Sequence, residues 1–151
     1  MGIMKGKIAL SFSLSLAVLL LSSCFFSDKE RALKVYKDSK NFIEVECSIS
    51  QVSEDGEGNI ILLLENIECL TPDKNPYKSY YCIIVPKNKD ILNENDFIYS
   101  DENKSYRITF CPCIMWDGGL CHILSISDEE TVYLDYDSGI KNVLDWIKND
   151  M

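Results

Sequence analysis

A mainly β fold, a five-strand barrel with a short helix before it and an amphipathic helix after it, is what this sequence predicts. Three observations carry that expectation. From residue 42 onward apolar side chains recur at every second position, the period of a strand with one buried face. The apolar runs are separated by Gly-, Asp- and Pro-bearing segments that suit turns. Helical spacing is confined to a short stretch before the runs and to the last twenty or so residues.

Residues 1–23 are read as targeting rather than fold. Lys5 and Lys7 precede an apolar run from Ile8 to Leu21. Its core of roughly 15 residues fits a secretory signal, whereas a spanning helix needs about 20. The run closes on Leu21-Ser22-Ser23-Cys24, which resembles the lipobox of bacterial lipoproteins. That resemblance implies cleavage before Cys24, a diacylglycerol on the Cys24 sulfur and stable membrane attachment through two or more acyl chains. It also implies a place in the bacterial cell envelope, facing periplasm or exterior. Residues 24–29 would be the tether, and Phe25 and Phe26 would lie near the lipid interface.

The remaining chain of about 128 residues is enough for one domain with a real core. A helix is expected over 28–37. Ser27 and Glu30 have capping-box spacing, and Ala32, Leu33 and Tyr36 share a face. Ile43, Val45, Cys47 and Ile49 then alternate with Glu44, Glu46, Ser48 and Ser50, marking a first strand. Residues 53–59 form its turn. The continuously apolar 60–64 reads as a central strand that closes the hairpin. A third strand spans 80–85 and stops at Pro86, residues 87–95 form a short helix or loop, and Tyr106, Ile108 and Phe110 mark a fourth strand. Asp117-Gly118-Gly119 is a tight turn into a fifth strand at 120–126. Residues 131–134 suit an extra edge strand. A terminal helix follows over 138–148, capped by Asp137 or Ser138, with Ile140, Val143, Leu144 and Ile147 as its apolar stripe.

Five strands in a meander, interrupted by a non-strand connection between the third and fourth, is the order of an OB-fold barrel. The segment 30–127 is similar to the anti-codon-binding-like OB family of bacterial exported proteins. Ala32 and Tyr36 in the leading helix, the strand from Phe42 to Val52, the turn Asp55-Gly56-Glu57-Gly58 and Cys82 in the third strand carry the likeness. The chain departs from that family at Ser48 and at Asn103-Lys104-Ser105, where the family has glycine-bearing positions. Residues 128–151 would add the extra strand and the terminal helix, packed on the barrel.

Seven cysteines bear on chemistry. With Cys24 set aside for lipid, six remain, an even number suited to pairing in an oxidising compartment. At least one disulfide is expected among Cys111, Cys113 and Cys121; Cys113 would face Cys121 directly if the loop were Trp116-Asp117-Gly118. Cys47 and Cys82 sit in strand patterns as small hydrophobes. Cys111, Cys113, Cys121 and His122 are also residue types that Zn²⁺ accepts. Their spacing departs from the usual knuckle, and adjacent Cys121 and His122 point to opposite faces of a strand, so no metal and no cofactor is assigned. His122, the single histidine, has no Asp or Ser partner in the sequence that would make it a general base. The acidic groups at 54–57 and 128–130 do not match a calcium loop and read as solvated turns. Tyr77, Tyr80, Tyr81 and Trp116 offer a possible stacking surface.

Residues 1–23 hold two of the 15 basic residues and none of the 24 acidic ones, which leaves the rest at −11. Such a body disfavours phosphate-backbone partners. The sequence therefore points to a non-enzymatic binding module held at the membrane by its lipid, with a protein, glycan or small-molecule ligand and no nucleic acid. The alternative is a thiol-redox or zinc-binding envelope protein using Cys111, Cys113, Cys121 and His122.

Overall fold

The computed structural model describes residues 28–92, 104–112 and 121–151. Within them lie α1 (Asp28–Tyr36), a 3₁₀ turn (Ser39–Asn41), β1 (Ile43–Glu54), β2 (Ile60–Cys69), β3 (Tyr80–Ile84), the single helical turn α2 (Pro86–Lys89), β4 (Tyr106–Phe110), β5 (Cys121–Ser127), β6 (Val132–Leu134) and α3 (Tyr136–Asn149). Ser27, the expected tight turn at 117–119 and Leu120 lie outside the described residues.

The strands pair in the order β3-β2-β1-β4-β5-β6, and a further pairing of β3 with β5 closes the first five into a barrel. The OB-fold-like barrel expected from the sequence is thus present. All pairings are antiparallel except the closing seam, which is parallel and made of Cys82 opposite Cys121 and Ile83 opposite His122. β1 is long because it serves two neighbours: Ile43–Cys47 pair with β4, and nearly its whole length pairs with β2. Register shifts between Glu46 and Ser48 and between Ile49 and Gln51 bend it from one neighbour to the other. At the first shift the extra residue falls on β2, where Asn66 adopts φ 53° and its amide donates to Ser48 Oγ at 2.9 Å. Asparagine tolerates that left-handed backbone better than a branched residue would.

The lumen is filled by Ile43, Val45, Cys47, Ile49, Leu62, Leu64, Cys82, Ile84, Ile108, Phe110, Cys121, Ile123 and Ile126, with Leu92, beyond α2, closing one end. A second apolar layer lies outside the barrel, where Ala32 and Tyr36 of α1 and Val143 and Ile147 of α3 pack with Phe42, Val85, Cys111 and Leu124. β5 feeds both layers. A register shift between its pairs with Thr109 and Phe110 changes the alternation, so that Ile123 and Ile126 both face the lumen while Leu124 faces the helices.

Several boundaries differ from the sequence expectation. β2 runs five residues past Leu64, because Glu65–Cys69 keep pairing with the start of β1 although their composition is mixed. The terminal helix starts at Tyr136, two residues earlier than expected. Its cap is Asp135, whose Oδ1 accepts from Ser138 N at 2.9 Å, rather than Asp137 or Ser138. The buried stripe of α3 is centred on Gly139, Val143 and Ile147, with Ile140 and Leu144 on its flanks.

Gly139 sets how closely α3 approaches the barrel. A Cβ built there would lie 1.8 Å from the Leu124 carbonyl oxygen and 2.7 Å from its carbon, so helix and strand backbones touch directly. Beside it, buried Asn88 donates to Gly139 O at 3.3 Å and accepts from Asn142 Nδ2 at 2.7 Å, tying α2 to α3. Gly139→Ala should lower unfolding stability by about 3 kcal/mol, because gained helix propensity is small beside the overlap with backbone. Urea denaturation of the two proteins measures this; an unchanged midpoint would contradict the close approach.

Candidate functional site

The cysteines and histidine singled out in the sequence are divided between the two layers. Cys121 lies in the lumen, whereas His122, the next residue, points outward beneath α1 and α3. Cys111 belongs to the outer layer. Of the pairings expected among Cys111, Cys113 and Cys121, a Cys111–Cys121 disulfide is not formed, and Cys47, Cys69, Cys82 and Cys121 are thiols. The reason is geometric, since the barrel wall separates the two sulfurs. Pairings that involve Cys113 lie outside the described residues, as do Cys24 and Trp116. Among the described residues no group of three or more His, Cys, Asp or Glu is arranged to hold a metal ion.

His122 occupies a closed polar niche. Its Nδ1 shares a 2.8 Å hydrogen bond with Tyr36 Oη, and its ring meets Trp146 edge-on at a centroid distance of 5.1 Å. Only 2% of its surface is exposed, and burial pushes its pKa down to about 3. A neutral, enclosed imidazole with a tyrosine partner holds α1 and α3 against β5. Sequence spacing alone could not find this contact, because Tyr36 lies 86 residues away.

The acidic turns use their carboxylates locally. Asp55 accepts from the backbone N–H of Glu57 and Asn59 and from the Asn59 amide, each at 2.9 Å. Asp128 accepts from Glu130 N and Thr131 N and from the Tyr133 hydroxyl, and it pairs with Lys104 at 2.7 Å. These bonds, led by Lys104, hold its carboxyl well below the usual range. A shallow groove of about 270 Å³ runs past Asp128 between Glu46, Ser105 and Arg107, and Ser105 donates to Glu46 across it at 2.9 Å. Its polar groups are thus largely turned on one another.

The aromatic surface is only partly assembled. Tyr80 turns toward the barrel interior and meets Phe110 edge-on at 4.8 Å, while Tyr77 packs beside it and is 77% exposed. Tyr81 points to the other side of β3 and is 51% exposed. Opposite it on β2 stands Leu63, and the next outward pair is Ile61 with Ile83. All three aliphatics are only partly buried. The run 60–64, read from sequence as a central strand, does lie between β1 and β3; Ile60, Leu62 and Leu64 fill the lumen, and Ile61 and Leu63 form an outer apolar strip.

His122 makes one contribution to the pH dependence of folding. Unfolded, its pKa is about 6.5; folded, it is about 3. The folded state therefore binds fewer protons between those values, so its contribution is complete above about pH 6.5 and declines on acidification by about 1.4 kcal/mol per pH unit. Replacing the ring in His122→Gln should flatten the wild-type slope of stability between pH 4 and 6, measured by urea unfolding; parallel curves would refute the assignment. Comparison with protein-family models, with curated proteins and with solved structures gives no match to this chain.

Proposed function

We propose that this protein is a lipid-anchored lipoprotein of the bacterial cell envelope whose OB-fold-like barrel is a non-enzymatic binding module. The observation that carries the binding role is the outer strip of β2 and β3. Ile61, Leu63 and Ile83 are partly open there beside Tyr81, on a face that neither α1 nor α3 covers in the outer apolar layer. An apolar strip with one large aromatic at its edge fits a protein or glycan surface. The anchor is supported by the sequence Leu21-Ser22-Ser23-Cys24. Helix α1 begins at Asp28, four residues after Cys24, which keeps the barrel near the bilayer.

Charge adds to this reading. The excess of acidic residues opposes a nucleic-acid partner, although nucleic acids are a common ligand of such barrels. The thiol-redox or zinc reading has less support, because Cys121 faces the lumen while Cys111 and His122 lie in the outer layer.

Two experiments test the proposal. Mass spectrometry of the full chain expressed in a bacterial host should find an amino-terminal peptide that starts at Cys24 and carries acyl mass. Cys24→Ala should lose that modification, and an unmodified wild-type Cys24 would sink the anchor. A photo-crosslinking residue at position 81 should capture a partner in intact cells, whereas the same residue at position 129, on the turn beside Asp128, should not. Equal capture at both positions, or none at 81, would remove the strip as the binding face.

A further inference from the structure

The closing seam of the barrel carries a pair of cysteines with no structural task that a small apolar residue would not perform. Cys82 of β3 and Cys121 of β5 are register partners on adjacent parallel strands. Both side chains face the lumen, with 0% and 3% of their surface exposed. Neighbouring strands run about 4.8 Å apart, inside the Cα separation of roughly 4.4–6.8 Å that a disulfide spans. Burial, and after it the neighbouring Cys121, pushes the Cys82 thiol up, while the neighbouring Cys82 lowers that of Cys121, as expected of two thiols side by side. The seam is also the shortest closing contact of the barrel, with two residue pairs against five for β2 with β3.

We propose that Cys82 and Cys121 form an intramolecular disulfide that locks the β3–β5 seam when the chain meets a disulfide oxidant. The reaction is thiol–disulfide exchange. The Cys121 thiolate attacks one sulfur of the oxidant's disulfide, whose bond breaks, and the departing thiolate takes up the proton that Cys121 released. Cys82 then gives up its proton and attacks the Cys121 sulfur of the mixed disulfide. The second oxidant thiol leaves with that proton. Two protein thiols are oxidised to one disulfide, and one oxidant disulfide is reduced to two thiols. Because both sulfurs are enclosed once the barrel is shut, exchange takes place while the seam is open, as the chain folds.

The bond joins residues 39 positions apart and so removes much freedom from the unfolded chain. Its persistence in cells rests on the exported, oxidising address proposed above; its chemistry does not.

The test refolds the reduced, denatured full chain in a reduced–oxidised glutathione buffer, blocks remaining thiols under denaturing conditions, and maps linked peptides by mass spectrometry. A Cys82–Cys121 peptide is expected, together with a rise in melting temperature of about 10 °C that reduction reverses. The rise should be absent from Cys82→Ala and Cys121→Ala and retained in Cys69→Ala. Peptide mapping of the wild type stands even if a variant fails to fold. Cys121 linked instead to Cys113, or both seam thiols still alkylated after oxidation, would overturn the inference. Oxidation in buffer combined with reduced thiols trapped from intact cells would uphold the seam bond and count against export.

Discussion

Strand β5 must be buried on both of its faces, and most of the structure follows from that requirement. Its inward side chains, Cys121, Ile123 and Ile126, complete the lumen, and its outward ones, His122 and Leu124, need a second cover. A bare outer face would expose Leu124 and leave an imidazole half in water against apolar neighbours. Helices α1 and α3 remove that surface from solvent, and Gly139 lets α3 come down onto the Leu124 backbone. The helices are therefore a one-sided shield, placed where the strand demands it.

The same economy explains what is left uncovered. Two short helices protect β5 and the ends of β1 and β3, but they do not extend over the outer side of β2, where Ile61 and Leu63 remain partly open beside Tyr81. Apolar side chains in that position contribute little to the fold, since about 25 cal/mol per Å² accrues only for area removed from water. They acquire value when another surface covers them. The polar groove near Asp128 is the reverse case: Asp128, Lys104 and Tyr133 are engaged with one another and with turn N–H groups, which leaves them poorly disposed toward a ligand.

Polar chemistry inside the molecule is similarly structural. His122 with Tyr36, and Asn88 with Gly139 and Asn142, each join elements distant in the chain. Among the described residues, no buried side-chain nitrogen or oxygen lacks a hydrogen bond. A buried polar pair costs little once satisfied and a great deal if split, so these contacts fix where α1, α2 and α3 sit. The thiols of Cys82 and Cys121 differ because their juxtaposition is not needed for packing, and that difference makes them the informative pair.

The sequence by itself determined the barrel, because period-two patterning depends only on neighbours along the chain. Ile43, Val45, Cys47 and Ile49 face inward as their alternation requires, and Tyr106, Ile108 and Phe110 do the same. It likewise determined the two helices and the separation of Cys121 from His122 by strand geometry. It did not disclose that β2 continues to Cys69, that α3 is capped by Asp135, or that Ile61 and Leu63 lie on an open face, since each depends on which strand or helix stands alongside. Only tertiary structure decided that Cys82 meets Cys121 and that Tyr36 meets His122. Those meetings arise when the barrel closes and the helices settle on it, and contacts between residues tens of positions apart leave no periodic trace in the chain.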